Sequence, residues 1–378
     1  MALLTRKRTI LAKIESSYGV DPTPTGGSNA ILVRNLTVTP LNAELVSRDL
    51  VRPYFGNSDT LLAQTNGIIE FEVEMAGSVS PGVAPAWAPL LKACGFSEDL
   101  NTEAVSITRS GSTATATLAS HGFTSGATVV ISGATQSEYN GSFVISNVTT
   151  NTFDYTVSGT PATPATGSTV VGTTSIYTPI SDSLPSIAFY FQLDGVRQKH
   201  LGCRGNVEFT VNVKQIPVMK FTFTSLYSAP TDTSAPSVDF SAFQQPKIAN
   251  TTNTTSFSLL SYSGYMEQFN MNMTNDVQYR TLIGYQSVEL LDRKPAGTFL
   301  IEAPLMASKD YFTAAVNGTT GVMQLIHGTT SGNIVKLRSE RVSIGNPSYQ
   351  ESQGVQMLSI PYVATPTSGN DELTVTVY

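Results

Sequence analysis

The chain has 378 residues, 40% of them hydrophobic but only 13% charged, and a formal net charge of −6. That length suits two or three domains, and so sparse a charge, about half the usual share, suits broad contacts that lose water on assembly with few ions to desolvate. An acidic balance excludes a protein that grips nucleic acid through a basic stripe.

No run approaches the roughly 18 apolar residues of a membrane span, so no membrane association is expected. Near the start, Arg6, Lys7 and Arg8 precede an apolar stretch that Lys13 and Glu15 interrupt, which argues against a secretory leader. Residues 1–29 end in Asp21-Pro-Thr-Pro-Thr-Gly-Gly and read as an arm on a flexible hinge. Two readings of Ile10 to Ile14 stand: a frayed terminal helix, or part of an arm that docks on a neighbouring subunit.

Residues 30–103 then give an alternating strand at Asn35 to Thr39, a polar loop from Leu41 to Thr65, a second alternating strand at Gly67 to Met75 and a short helix at Ala84 to Cys94. Residues 104–173 interrupt this pattern. They hold 27 Ser and Thr among 70 residues, and their only charges are Arg109, Glu138 and Asp154. Short strands at Val105 to Arg109, Thr113 to Leu118, Thr128 to Ser132, Ser142 to Ser146 and Thr152 to Val157, punctuated by His121-Gly122 and Asn140-Gly141, describe a small β-sandwich. Its ends should leave one exposed loop of the surrounding unit side by side.

Residues 174–228 complete the first unit with strands at Ser186 to Leu193, Asn206 to Lys214 and Val218 to Ser225. Pro230, Pro236 and Pro246 among Ser, Thr and Asn mark 229–255 as an extended linker. From 256 to 378 the same order returns: strands at Tyr265 to Thr274 and Gly297 to Ala303, a helix at Lys309 to Val316, then strands at Asn333 to Ser343, Val355 to Val363 and Glu372 to Tyr378. Without its insert the first unit is 129 residues long and the second 123, near-equal lengths that a duplication predicts. The expected class is mainly β, with one short helix per unit.

Alternation marks the surfaces. Glu70, Glu72 and Glu74 fall on one face of their strand and Phe71, Val73 and Met75 on the other. Glu208, Thr210 and Asn212 alternate with Phe209, Val211 and Val213, and Gln268, Asn270, Asn272 and Thr274 with Phe269, Met271 and Met273. Such wet faces describe an antiparallel sheet in solvent, or several sheets closed around an aqueous channel. An acidic and amide lining would ignore or repel phosphate, where a basic lining would hold it.

Catalytic equipment is missing from the sequence. His121, His200 and His327 are isolated, with no metal-ligand spacing, and no nucleophile elbow, Walker loop or dinucleotide fingerprint occurs. Cys94 and Cys203 read as two core thiols in a reducing compartment. No enzyme, no cofactor and no metal are expected.

Several segments carry a resemblance: residues 11–24, Ala30-Ile-Leu-Val-Arg-Asn-Leu-Thr-Val-Thr-Pro-Leu, Arg48-Asp-Leu-Val-Arg-Pro-Tyr-Phe-Gly-Asn and Ala86-Trp-Ala-Pro-Leu-Leu-Lys-Ala-Cys-Gly-Phe. They look like the major tail tube proteins of long-tailed, siphovirus-type bacteriophages, most strongly over 8–98, less over 185–228 and weakly in the second unit. The insert, with His121-Gly-Phe and Glu138-Tyr-Asn-Gly, resembles the immunoglobulin-like modules that decorate phage virions. The resemblance implies two tube-type β-sandwich or barrel domains plus an inserted small Ig-like sandwich. It also implies a structural virion protein, assembled in the host cytoplasm into stacked rings that form a passive conduit for DNA ejection. Two tube domains per chain would make the ring a trimer with pseudo-sixfold symmetry. The implied partners are copies of itself, a tape measure protein, a tail terminator, a distal tail protein and translocating DNA that is not specifically bound.

On this reading Glu70, Glu72, Glu74, Glu208, Thr210, Asn212, Gln268, Asn270, Asn272 and Thr274 line the lumen. Arg6, Arg8, Arg48, Asp49, Arg52 and Asp59, on the arm and the loop, contact stacked rings, although the loop also reads as a plain surface excursion. A chain without residues 2–25 should fold yet form no long tubes. A module projecting outward would collide with a contractile sheath, so the tail should be flexible and non-contractile. The competing reading is a baseplate or surface adhesin of strung β-sandwiches, which needs no channel and does not polymerise alone.

Overall fold

The structure, a computed structural model, describes residues 3–378. In chain order the strands begin with β1 (Arg8–Ile14), β2 (Ala30–Ile31), β3 (Arg34–Ser47) and β4 (Thr60–Glu74), with a single helical turn α1 (Gly26–Asn29) ahead of β2. After α2 (Ala88–Lys92) come β5 (Asp99–Ala104), β6 (Ser106–Ser110), β7 (Thr113–Thr117), β8 (Thr128–Ala134), β9 (Gly141–Val144), β10 (Thr152–Thr156) and β11 (Gly167–Tyr177). The first half closes with β12 (Ile187–Leu193), β13 (Val196–Asn212), β14 (Val218–Leu226) and β15 (Thr231–Asp232). The second half holds β16 (Thr254–Leu259), β17 (Met266–Asn272), β18 (Asn275–Leu282), β19 (Tyr285–Arg293), β20 (Ala296–Glu302), α3 (Tyr311–Val316), β21 (Thr320–His327), β22 (Val335–Ile344), β23 (Ser348–Ser352), β24 (Val355–Ala364) and β25 (Thr374–Val377).

Eight of these strands form one continuous antiparallel sheet, in the order β3, β4, β14, β13, β17, β20, β24, β23. Period-two alternation drives it: Ile69, Phe71, Val73, Met219, Phe221, Phe223, Val207, Phe209, Phe269, Met271, Phe299 and Ile360 all point to the buried side. Phe71 stacks with Phe223 at 6.0 Å in the first half, and Phe299 stacks with Tyr362 at 4.9 Å in the second. Burying each such ring removes it from water for about 2–3 kcal/mol, and both halves share one continuous core. The helices α2 and α3 pack on this core through Leu90 and Leu91, and through Tyr311 and Ala314.

Strand pairing in the second half repeats that of the first. In the first, β1 pairs with β12, β12 with β13, and β13 with both β15 and β14, before β4 and β3 extend the sheet. In the second, β16 pairs with β21, β21 with β22, and β22 with β25 and β24, before β20 and β17 extend it. One long strand, β13, corresponds to the broken pair β22 and β23, because Pro347 lacks the N–H that a continuous ladder requires.

Four expectations need correction. Ile10 to Ile14 is no helix: β1 runs antiparallel to β12 from Arg8–Leu193 to Ile14–Ile187, with Ile10, Leu11 and Ala12 buried. These three consecutive side chains are covered on both faces of β1, so the start of the chain is threaded into the fold and is not a hinged arm. Glu15 fastens it, its buried carboxylate accepting from the Ser186 hydroxyl (2.6 Å) and the N–H groups of Gly19 (2.8 Å) and Gly202 (2.7 Å). The reading of Leu41 to Thr65 as a loop fails as well. Strands β3 and β4 continue as a paired ribbon to Ser47–Thr60, and only residues 48–59 lack strand structure. Segment 229–255 is not a free linker, since Phe243 packs on the main core and Val238 and Phe240 on Leu11 and Tyr190. Finally, the two helices are shorter than the expected 84–94 and 309–316.

Residues 105–157 carry a separate core of small and aromatic side chains, including Ala114, Ala116, Val129, Phe153 and Tyr155. One sheet of this block is β6, β7 and β10; β8 and β9 pair with each other, and β8 pairs with β11. The block enters on β5 and leaves on β11, which pair directly (Glu103 opposite Val171) before β11 continues to β25.

Candidate functional site

The exposed side of the eight-stranded sheet is built by register. Glu72 lies opposite Lys220, Lys220 opposite Glu208, and Glu208 opposite Asn272. One row further along the strands, Glu74 lies opposite Val218, then Thr210, Asn270, Thr298 and Pro361 follow. Asn212, Gln268, Leu300 and Ser359 make the next row. Nine of the ten sequence-derived face residues therefore share one surface that crosses both halves of the chain. The tenth, Thr274, lies beyond the end of β17 in a left-handed turn (φ 48°), its N–H donated to Asn272 Oδ1 at 2.7 Å, and does not extend a row.

Two cations on this face were missed by reading strands singly. Arg34 Nε sits 3.8 Å from Glu72 Oε2, and Lys220 stands between Glu72 and Glu208. The surface is acidic in balance but not uniformly so. Neighbouring amides tie it together: Asn35 Nδ2 donates to Glu72 (2.9 Å), Asn206 Nδ2 to Asn272 Oδ1 (2.8 Å), and Asn270 Nδ2 to Glu208.

Both margins of this sheet are open. Among the described residues, strand β3 pairs only with β4 and strand β23 only with β24, so each presents unpaired backbone groups. Between them, β13 and β17 show what a closed margin looks like. Phe209 and Met271 face each other there, fully buried.

Hairpin β18–β19, absent from the sequence reading, reinforces that joint. Asn275 Nδ2 donates to Cys94 O (2.8 Å) and Gly205 O (2.9 Å), while its N–H donates to Asn206 Oδ1 (2.9 Å). Arg204, partly buried, donates to Val288 O (2.8 Å) and Glu289 Oε2 (2.6 Å), and the Tyr18 hydroxyl accepts from Val288 N–H (2.5 Å). The one sequence signal for this hairpin was Ile283-Gly284 between alternating segments.

The candidates for contacts between rings are scattered. Arg6 lies in a turn and Arg8 opens β1, reaching Leu36 O at 3.4 Å. Arg48, Asp49, Arg52 and Asp59 gather at the tip of the β3–β4 ribbon, where Arg48 N–H donates to Asp59 O (3.1 Å) and the Ser47 hydroxyl to Asp49 (2.6 Å). The surrounding ribbon is more apolar than its charges imply, with Leu45, Val46, Leu61 and Leu62 more than half exposed.

The histidines occupy separate environments. His121 stacks on Phe123 at 4.8 Å, His327 contacts Thr254 Oγ1 and Lys247 O at 3.1 Å each, and His200 contacts Ser225 Oγ at 2.8 Å. Burial pushes the His200 imidazole down to about 4. Burial works against ionisation of Asp21, but Lys199 Nζ (2.8 Å) and the Tyr190 hydroxyl outweigh it and hold the carboxyl below its ordinary value. Cys94 and Cys203 are free and buried. Among the described residues no cluster of three metal-ligating side chains occurs, and no helix is long and apolar enough to cross a membrane.

The distinguishing surface is thus a broad polar sheet with two open margins, the equipment of a structural β protein. The family model described as phage tail tube protein matches residues 5–364, and the chain belongs to that family. It is a structural component of the phage virion tail. No curated protein sequence matches it.

Proposed function

We propose that copies of this chain polymerise into stacked trimeric rings, the wall of a tail tube through which DNA passes into the host. The observation that carries this reading is the single eight-stranded sheet with one polar, net acidic face and unpaired margins at both ends. Turned inward, Glu70, Glu72, Glu74, Glu208, Thr210, Asn212, Gln268, Asn270 and Asn272 line a bore that does not retain phosphate. Lys220 and Arg34 are neutralised locally by the acids beside them, which leaves no basic stripe to drive counterion release. Each chain supplies two tube domains, 30–103 with 174–228 and 256–378, so three chains give pseudo-sixfold symmetry.

The block 104–173 is an Ig-like module on the outer wall of a flexible, non-contractile tail. Arg6, Arg8, Arg48, Asp49, Arg52 and Asp59 meet the adjacent ring, and the tape measure, terminator and distal tail proteins set the length and ends of the tube, which assembles in the host cytoplasm. Negative-stain microscopy of the purified chain tests this. Hollow tubes with three external knobs per layer are expected, and tubes without knobs from a chain lacking 104–173. A chain that stays monomeric at high concentration, even when seeded, refutes the tube, and binding to cell surfaces without tubes favours an adhesin.

A further inference from the structure

The joint between the two halves of one chain specifies the joint between two chains. The repeated pairing order puts β24 in the place of β14, β20 in that of β4, β17 in that of β3, and β22 with β23 in that of β13. Aligning the aromatic stack Phe71 and Phe223 with Phe299 and Tyr362 fixes the residues. Gly205, opposite Phe223, then falls on Ile344, opposite Tyr362, and beyond the break between β22 and β23 Phe209 falls on Tyr349, Thr210 on Gln350, Asn270 on Thr37 and Asn275 on Asn42. The helix ends agree. Gly95 after α2 and Gly318 after α3 are both left-handed (φ 84° and 62°), and each donates its N–H to the carbonyl three residues back.

Across this alignment the first-half residues are covered and their counterparts are bare. Ala93 and Phe209 are fully buried, Phe209 opposite Met271 of the second half, whereas Val316 and Tyr349 are 86% and 53% exposed. The margin at β23 thus lacks the neighbour that β13 has, and the margin at β3 lacks the neighbour that β17 has. At β3 the Arg8 guanidinium reaches Leu36 O, a 3.4 Å contact that a paired strand would replace.

We infer that β23 of one copy pairs antiparallel with β3 of the next, Gln350 opposite Thr37 and Tyr349 opposite Val38, with Asn42 clamped on the neighbour as Asn275 is clamped within the chain. Side chains of Ser348, Gln350, Thr39 and Thr37 then continue the polar face. Tyr349 meets Val38 on the apolar side, as Phe209 meets Met271. The Asn42 carboxamide, which in a single copy donates to Asn66 Oδ1 at 3.0 Å, turns to Ile344 O and Asn317 O of the neighbour. The apolar ribbon side chains Leu45, Val46, Leu61 and Leu62 lie across the neighbour's second half, as β18–β19 lies across the first. The ribbon is therefore a lateral clasp within a ring. This inference rests on ring formation as proposed above.

A cysteine pair tests the register. Directly opposed residues of an antiparallel pair have Cα atoms about 4.5–5.5 Å apart, within disulfide reach, while positions two residues out of step do not. Native Cys94 and Cys203 are buried and do not compete. Assembled Thr37→Cys/Gln350→Cys chains, mildly oxidised, should give covalent oligomers ending at the closed ring. Thr37→Cys/Ser352→Cys chains should give none, and the internal counterpart Thr210→Cys/Asn270→Cys should close within one chain. Asn42→Ala should raise the critical concentration for assembly about tenfold, while the monomer melts only slightly lower through the lost bond to Asn66. If wild-type tubes form but the opposed pair does not cross-link, or the shifted pair does, this register is wrong and the tube reading survives. If wild-type chains never assemble, both fall.

Discussion

Asn275→Ala isolates the joint within the chain. The substitution keeps the backbone donor to Asn206 but removes both carboxamide bonds, leaving Cys94 O and Gly205 O without that donor beneath the hairpin. Each lost bond costs about 1 kcal/mol net, and more where a buried carbonyl is stranded, so about 2–3 kcal/mol is expected. The effect should be local before it is global, because β18–β19 is otherwise anchored by Arg204, Tyr18 and the buried Val288. Hydrogen exchange is the assay: amides of 275–293 should lose protection by about a hundredfold, while those of β4, β14 and β13 in the sheet centre keep theirs. Protection unchanged across the hairpin, or lost equally across the sheet centre, would refute the clamp. Asn42→Ala in the monomer is the control, since Asn42 bonds Asn66 across its own ribbon and its loss should leave the protection of 275–293 unchanged.

Three further outcomes follow from other features. His200 is neutral in the fold and its imidazole sits near 4, against 6.5 when exposed. Between these values the unfolded chain binds the extra proton, so stability is full above about pH 6.5 and falls as pH drops, by about 3 kcal/mol near pH 4. Urea midpoints of wild type and His200→Asn should differ in this pH dependence, and parallel profiles would contradict it. Removing residues 2–25 deletes β1, with Ile10 and Leu11 buried and Glu15 bonded three ways, for a loss of about 5 kcal/mol from the side chains alone. Circular dichroism should find a strongly destabilised or unfolded chain, not a folded one that merely fails to assemble. Gly67→Ala would put a methyl carbon 2.5 Å from Ser225 Oγ and 2.7 Å from His200 Nδ1, both buried, and should cost about 2–3 kcal/mol in thermal unfolding. A neutral result would mean that this pair yields freely.

The sequence was most legible where a side chain's direction depends only on its own strand. Glu70, Glu72 and Glu74 against Phe71, Val73 and Met75 declare a wet and a dry face by alternation alone, and the structure keeps both. Strands without such contrast were missed. Strand β1 was one, because its three buried residues are consecutive, as is usual for a strand covered on both faces. The β18–β19 hairpin was another, and its function depends on Asn275 meeting carbonyls 70 and 181 positions away. No local pattern encodes such a meeting.

Composition and alternation by themselves determined a mainly β chain with a polar, acid-bearing surface, since side-chain chemistry and a two-residue period need no partner to be defined. Only the tertiary structure decided that Glu72, Lys220, Glu208 and Asn272 form one row, that both halves share one sheet, and that its margins at β3 and β23 stand open. Those are properties of register and pairing. They arise from hydrogen bonds between residues far apart in the chain, whose energies depend on where the strands meet and not on what either strand is alone.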